Sequence, residues 1–381
     1  MRAPLGEIVR EWTRIGVTGF GGPPAHIALL RRLVVERKGW MDSHAFEDAN
    51  AACSLLPGPS STQLAIFCAY RVGGWPGAIV GGLGFVVPAV AMVLVLSLLF
   101  LSEAPPEWIR GAGAGAGAAV AAVAVRAGLD LIGPSRMRAR AERVPLARWA
   151  AYAAAGGIAA ATVGPYLVLV LLACGAVELL LRRGRAVAAA FDPAAALLLA
   201  AVAEGGPGSL IWTALKVGAL SFGGGFVIVP LMQDDAVHVY HWMTNAEFLN
   251  AVALGQVTPG PVVATIAAVG YAAAGVGGAL LAAFVAFLPS FSFILLGGGR
   301  FERLRANDAA RGFLGGAGPA AIGAILGSAI PLAGALDEAW QFAVLAAAAL
   351  ALLLLRQGVV PTLLGAGAIG AVIALAGGPL P

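Results

Sequence analysis

The chain contains few charged residues. Only 12% of its 381 residues are charged, whereas 60% are hydrophobic, and the mean hydropathy is +0.88. This composition excludes a water-soluble globule of this size, because too little polar surface is present to cover it. The apolar runs are roughly 17 to 25 residues long, as a helix crossing the hydrocarbon core requires, and alternating strand patterns are absent. We therefore expect an all-α polytopic membrane protein.

Cysteine and lysine are scarce as well. The three cysteines, Cys53, Cys68 and Cys174, form no CxxC pair, so we expect buried apolar side chains rather than a disulfide or a metal site. The net charge is only +4, and the 22 arginines and 2 lysines are concentrated in a few segments. This distribution argues against nucleic-acid binding and indicates membrane topology. The chain has no GxxxxGK[ST] motif, and we expect no cofactor.

A duplication is the main positive signal. Residues 20–59 (FGGPPAHIALL…GWM…LLPGP) and 222–261 (FGGGFVIVPLM…HWM…QVTPGP) align without a gap. Each copy has a Gly-rich break and a Pro-Gly-Pro break within apolar sequence. Such paired interruptions in matching halves point to the binding site of a membrane transporter. We expect a first membrane repeat at 1–185, a linker at 186–208 and a second repeat at 209–381.

Each half contains six apolar segments, which we label in chain order. The first half has A (6–32), B (45–71), C (76–101), D (110–132), E (146–163) and F (165–181). The second half has A′ (209–232), B′ (246–273), C′ (275–298), D′ (311–333), E′ (340–355) and F′ (359–376).

The charges between these segments predict that the halves have opposite orientation. The D–E connection is rich in arginine, whereas the D′–E′ connection carries Asp337 and Glu338. Short cytoplasmic loops carry the Lys and Arg excess, so matching loops of opposite sign indicate inverted-topology repeats. Inversion requires that one segment per half fails to cross. We expect segments B and B′, broken at Pro-Gly-Pro, to be re-entrant, with A and A′ as the alternative, which gives about ten crossings.

The Gly-rich breaks are the first candidate substrate-binding elements. Each would end one helix and start another, at Gly21, Gly22 and Pro23 in the first half and at Gly223, Gly224 and Gly225 in the second. The N–H groups at a new helix N-terminus bind anions. A close crossing of helices at small residues is the alternative interpretation, and the match between halves favours a binding site.

Two basic residues stand at matching positions within apolar segments. Arg14 and Lys216 each lie six residues before the Phe of the Gly-rich break. Inverted copies would bring them from opposite faces toward a central site, which suits a dianion. The alternative is that each side chain extends to its nearest membrane interface.

The Pro-Gly-Pro breaks are the second candidate element. They comprise Pro57, Gly58 and Pro59 in one half and Pro259, Gly260 and Pro261 in the other, beside the polar residues Ser54, Gln63, Gln256 and Thr258. Hydroxyl and amide donors could replace hydration water around an oxyanion, or could satisfy backbone groups that proline leaves free. His26 has no counterpart in the second half, and either senses protons or makes structural hydrogen bonds.

On these residues the sequence resembles the chromate ion transporter family. The stretches FGGPPAHI, ERKGWMDSHAFEDANAACSLLPGPSSTQL and YRVGGWPGA are similar to its first-half signature, and KVGALSFGGGFVIVPLM with GQVTPGPV to its second half. The resemblance implies the long two-domain bacterial form, a multi-pass inner-membrane carrier that exports chromate and confers resistance. Sulfate is the similar dianion. Ser54 stands where Gln is expected in most members, which leaves the first-half ligands open.

The expected function is therefore secondary transport of chromate by alternating access at a midplane site. Sulfate or another divalent oxyanion is the alternative substrate, and a passive anion channel is the alternative mechanism. A membrane enzyme is not expected, because it would need clustered acids or a metal pair at membrane depth. The expected partners are the dianion and the lipid bilayer, without nucleic acid, and a homodimer is a candidate assembly.

Overall fold

The computed structural model describes residues 3–54, 56, 58–102, 104–162, 166–183, 207–221, 226–297 and 307–381. Every regular element within these residues is a helix, as the composition predicts. Most of the expected linker at 186–208 lies outside the described residues, and so do Pro57, Gly223, Gly224 and Gly225.

The helices of the first half are α1 (Leu5–Thr18), α2 (Gly22–Arg31, continued by a π-helical turn at Arg32–Arg37), α3 (Ser43–Cys53), α4 (Ser60–Phe100), α5 (Glu107–Ala118), α6 (Val120–Ala141), α7 (Leu146–Thr162) and α8 (Leu167–Arg183). Those of the second half are α9 (Pro207–Leu220), α10 (Ile228–Gln233, continued by a π-helical turn at Asp234–Val239), α11 (Asn245–Val257), a 3₁₀ turn (Val262–Thr265), α12 (Ile266–Gly297), α13 (Asp308–Gly334), α14 (Ala339–Ala349, continued by a π-helical turn at Leu350–Leu354) and α15 (Val359–Leu375). Four stretches are long and apolar enough to cross a membrane: Ser60–Phe100, Glu107–Ala141, Val262–Gly297 and Asp308–Gly334.

The duplication extends to fine structural details. The π-helical turns after α2 and α10 occupy matching positions, and matching N-caps, Asp42 and Thr244, start α3 and α11. Gly74 and Gly275 each interrupt a long helix with a left-handed φ, of 67° and 62°. Only glycine adopts this region without strain, so the chain reverses there and the two limbs of α4, 60–73 and 75–100, pack side by side.

Segment A forms a hairpin rather than a crossing. The end of the π-helical turn returns to the start of α1, where Lys38 Nζ lies 2.5 Å from Glu7 Oε1 and Arg37 pairs with Glu11. The backbone N–H of Ala3 donates to Val72 O at 3.2 Å. The open ends of segments A and B therefore share one face of the protein. The hairpins α1–α2 and α3–α4 both turn back in the protein interior.

Contacts between helices establish which ends share a face. Arg182, at the end of α8, pairs with Glu142 after α6 at 2.8 Å, and Glu142 lies 3.9 Å from Arg311 at the start of α13. We call this the arginine-rich face. At the other end, Arg110 at the start of α5 donates to Pro381 O at 3.2 Å, and Trp340 at the start of α14 donates to Pro379 O at 3.0 Å. We call this the arginine-poor face.

The two halves run in opposite directions. A Cβ on Gly111 would meet Gly370, and one on Gly115 would meet Ala366, so α5 and α15 are antiparallel. Connections of four residues join α13 to α14 and α14 to α15, so α13 and α15 run the same way. Segment D is thus antiparallel to D′, which is the inverted topology that the loop charges predict.

Segments A and B both turn back within the protein, so segments C to F and C′ to F′ are the candidates for crossing the membrane among the described residues. The hairpins of the first half open to the arginine-rich face, and those of the second half open to the arginine-poor face. This arrangement places Arg10, Arg37 and Lys38 at the same face as most of the arginines. Of the arginines that the structure describes, only Arg110 lies at the arginine-poor face, beside Glu107, Asp337 and Glu338.

Cysteine labelling provides a direct check of this topology. We expect Lys38→Cys and Arg140→Cys to react with a membrane-impermeant thiol reagent from one side of the membrane, and Asp337→Cys only from the other side. The native cysteines are buried, so the unmodified chain supplies the background. Labelling of Lys38→Cys and Arg140→Cys from opposite sides would contradict the hairpin at segment A.

Candidate functional site

The hairpin tips of the two halves meet inside the protein. The N–H of Gly260 donates to Gly19 O at 3.0 Å, which joins the second Pro-Gly-Pro loop to the end of α1. In the reciprocal contact, a Cβ on Gly58 would lie 2.9 Å from Gly218 O at the end of α9. Gly58 and Gly260 have φ values of 110° and 101°, and only glycine combines this conformation with such a close approach.

A central cavity of about 330 Å³ lies beside these tips. It is large enough for roughly ten waters at ~30 Å³ each, and therefore for a small anion with part of its hydration shell. The tips contribute Gly21, Gly22, Pro23, Pro24, Ser54, Ser60, Gln256, Thr258 and Gly260, and the α6 wall contributes Arg126, Asp130, Pro134, Ser135 and Arg138. The opposite wall, on α13, is apolar or small: Leu314, Gly318, Ala321, Ile322 and Ile325.

A second cavity, of about 420 Å³, leads from the first toward the arginine-rich face. The two cavities share the lining residues Ser54, Ser135, Arg138, Leu314 and Gly318. The second cavity ends at Glu142 and Arg311, which belong to the ion pairs of that face. The structure therefore has a route from the arginine-rich face to the hairpin tips.

The charged wall of the cavity is one stripe of α6. Arg126, Asp130, Pro134 and Arg138 recur every four residues and so face the same side of the helix. Arg126 Nε donates to Asp130 Oδ2 at 2.9 Å, and its Nη1 donates to Leu352 O at 2.8 Å. This pair is internally neutral, and it fixes α6 to the π-helical turn after α14.

Arg138 differs from Arg126 because its charge is not compensated. Among the residues that the structure describes, no carboxylate forms an ion pair with Arg138 and no acceptor hydrogen-bonds its guanidinium. It lies where the two cavities join and is exposed to them. A guanidinium presents several donors in a planar fork that matches an oxyanion, and Arg138 presents this fork to both cavities.

Three neutral groups add donors to the cavity wall. The Nε2 amide of Gln256 is buried without an acceptor among the described residues. The hydroxyl of Ser135 accepts from Trp149 Nε1 at 3.0 Å, which leaves its proton free to donate. Ser60 is the first residue of α4, so the positive end of this helix, with its unpaired N–H groups, faces the cavity.

The first Gly-rich tip offers fewer N–H groups than its sequence suggests. Gly21 and Gly22 line the cavity with φ values of 100° and 69°. Pro23 and Pro24 occupy the first turn of α2 and have no N–H to donate. The tip shapes the cavity more than it supplies hydrogen bonds.

The two basic residues expected at the centre lie elsewhere. Arg14 is exposed on α1, whose buried face is formed by residues such as Ile8 and Trp12, and it does not line either cavity. Lys216 Nζ forms an ion pair with Asp235 Oδ2 at 2.6 Å within the α9–α10 hairpin. Their roles as charge ligands stay predictions that these positions do not support.

His26 and Gln63 are buried behind the cavity. His26 Nε2 lies 2.9 Å from Gly19 O, and its Nδ1 lies 3.3 Å from Ser61 Oγ, so it ties the α1–α2 tip to the start of α4. These contacts favour the structural interpretation of this histidine. Gln63 packs beneath Gly58. Pro59, Pro259 and Pro261 are buried beside their glycines and hold the extended backbone of the two loops.

Arg126, Asp130, Ser135 and Arg138 are the site residues that sequence reasoning missed. The arginines of the D–E region indicate topology, and Arg126 and Asp130, four residues apart, read as a local ion pair, which the structure contains. The available signal was the four-residue periodicity that extends a polar stripe from a membrane helix into that basic region. Segment D′ has no such stripe, because Gly327 and Pro331 match Arg126 and Asp130.

The inverted halves, re-entrant hairpins and central cavity define a polytopic α-helical membrane protein with the architecture of membrane carriers. The sequence profile described as chromate transporter matches residues 6–179 and 208–372. The chain therefore belongs to the chromate transporter family and is a multi-pass membrane protein. No solved structure matches it significantly.

Curated relatives agree with this assignment. The chain is 32% identical to a chromate transport protein of Cupriavidus metallidurans over 344 residues, which cover 86% of this chain and 82% of the relative. It is 31% identical to a chromate transport protein of Pseudomonas aeruginosa, covering 86% and 80%. An uncharacterized transporter of Methanocaldococcus jannaschii is 25% identical, covering 79% and 77%.

Proposed function

We propose that this protein is a secondary transporter that exports chromate across the bacterial inner membrane, with sulfate as the alternative dianion. One observation carries the proposal: an arginine without an ion-pair partner among the described residues, Arg138, lies at the junction of the two cavities. The buried amide of Gln256 and the N-terminus of α4 add donors nearby. Together these groups can bind a tetrahedral oxyanion without a metal or a cofactor.

The charge of the site suits an anion, and a dianion can also be released from it. Arg126 and Asp130 neutralise each other, so Arg138 leaves the site with one net positive charge before substrate enters. A dianion then finds one full countercharge and a set of dipoles, which binds it while allowing release. A site with two unpaired arginines would hold the same anion more tightly and slow its departure.

The membrane potential can drive export. Lys and Arg are concentrated on the cytoplasmic side of membrane proteins, so we assign the arginine-rich face to the cytoplasm. Moving a charge through 100 mV is worth about 2.3 kcal/mol, hence about 4.6 kcal/mol for a dianion that leaves a negative-inside cell. Export driven by this free energy lowers the cytoplasmic chromate concentration and gives resistance.

Counterflow in proteoliposomes tests the proposal. Vesicles that contain the purified protein and unlabelled chromate are diluted into labelled chromate at low concentration. We expect transient accumulation of the label above its equilibrium level, saturation with concentration, competition by sulfate, and faster flux under a potential that draws the anion across.

Protein-free liposomes are the control for leakage. Flux that neither saturates nor shows counterflow would identify a passive anion channel instead. Counterflow of sulfate without counterflow of chromate would change the substrate, and the absence of both would refute the proposal.

A further inference from the structure

The walls of the central cavity have counterparts in the opposite half, and those counterparts are packed shut. Positions of D and D′ correspond because Arg110-Gly111 matches Arg311-Gly312. The cavity residues Leu131, Pro134 and Ser135 on α6 match Leu332, Ala335 and Leu336. These three counterparts are buried, at 8% exposure or less, whereas Leu131 and Ser135 are half-buried and Pro134 is exposed. Matching helices of the two repeats thus differ in packing, because these α6 positions line a cavity and their α13 counterparts are buried.

We propose that the protein has a second state, in which the present cavity closes and the counterpart positions open to the arginine-poor face, and that this state binds the substrate more weakly. The inference rests on the proposed function, since it concerns the same oxyanion. Exchange of conformations between inverted repeats is the general route by which such proteins expose one site to either side.

The weaker binding follows from an asymmetry between α6 and α13. Helix α13 ends at Gly334, which matches Gly133, whereas α6 continues for two more turns to Ala141. Those extra turns carry Ser135 and Arg138 into the cavity. The second half has no equivalent extension, so no arginine can line the second state at this position.

The charges at the arginine-poor face also disfavour anion binding in the second state. Asp337 and Glu338 follow α13 at the arginine-poor face, and Arg110 is the only arginine that the described chain places there. Loss of one charged hydrogen-bond donor corresponds to roughly a tenfold or greater loss of affinity. Substrate is therefore captured from the arginine-rich side and released on the other, the order that export requires.

Sided kinetics test the affinity difference. Inverted and right-side-out inner-membrane vesicles, with the potential collapsed, are assayed for exchange of labelled chromate at increasing external concentration. We expect a half-saturation concentration at least about tenfold lower in inverted vesicles. Arg138→Gln should raise that value about tenfold and should raise the right-side-out value by much less. Arg140→Gln, on the same helix but outside both cavities, should change neither. Equal values on both sides, or equal shifts in Arg138→Gln, would overturn the inference.

A labelling experiment tests the second state without any substrate. Leu131→Cys, which lines the present cavity, should react with an impermeant thiol reagent from the arginine-rich face. The matching Leu332→Cys is fully buried now and should react only from the arginine-poor face. If Leu131→Cys reacts and Leu332→Cys never does, the second state does not form. If both react but chromate is not exchanged, the second state stands and the proposed substrate fails.

Discussion

Arg138→Gln is expected to reduce chromate transport from the arginine-rich side by about tenfold or more at subsaturating concentration. Glutamine preserves much of the length and some hydrogen-bonding capacity of arginine but removes its charge. A charged hydrogen bond contributes roughly 1.5 to 3 kcal/mol, and each 1.4 kcal/mol is a factor of ten in binding. Initial rates of labelled chromate uptake into inverted vesicles measure the effect.

Two further variants test whether the loss of transport depends on the position of the charge. Arg140→Gln removes the same charge from the same helix, outside both cavities, and should transport normally. Arg138→Lys keeps the charge without the planar fork, and we expect intermediate uptake. If Arg138→Gln transports as well as the parent chain at low chromate, the site lacks the charge ligand that the proposed function requires.

Gly323→Val is expected to prevent accumulation of folded protein. Helices α7 and α13 approach so closely that a Cβ on Gly323 would overlap the carbonyl oxygen of Ala153, and one on Gly156 would overlap that of Ala320. Backbone atoms of two packed helices cannot move aside as a flexible side chain can. Overpacking of this kind costs about 3 kcal/mol or more. Size-exclusion chromatography of the detergent extract and the thermal midpoint of any folded fraction measure the loss.

The matched control is Gly365→Val on α15. A Cβ on Gly365 meets no atom within 4 Å, so the same substitution in a similar membrane helix should leave the yield nearly unchanged. Equal yields for the two variants would show that the α7–α13 contact can relax, contrary to the close approach in the structure.

The architecture was readable from the sequence where it depends on local chemistry. Hydropathy predicts helices, and the Gly-rich and Pro-Gly-Pro breaks coincide with real helix ends at Gly21 and Pro59. Charges at Arg138 and Asp337 predict inversion, because the positive-inside rule acts on each connection separately. The division into repeats at 1–185 and 209–381 stays a prediction.

The path of the hairpins and the charge of the site depended on distant contacts. Segment A has the length of a crossing helix, and only the pairs of Glu7 with Lys38 and Glu11 with Arg37 reveal that it turns back. Lys216 matched Arg14 by position, but its charge is compensated by Asp235 from the neighbouring helix. Which arginine lines the cavity without an ion-pair partner depends on the packing of α6 against the hairpin tips, which no local pattern encodes.

The first half ends with α8 at the arginine-rich face, and the second half begins with α9 in a hairpin that opens to the arginine-poor face. A gene fission at this junction would therefore yield two polypeptides that must insert with opposite orientations before they could associate. Each would rely on its own arginines to choose its orientation during synthesis, so a charge reversal that flips one product would leave both without a partner.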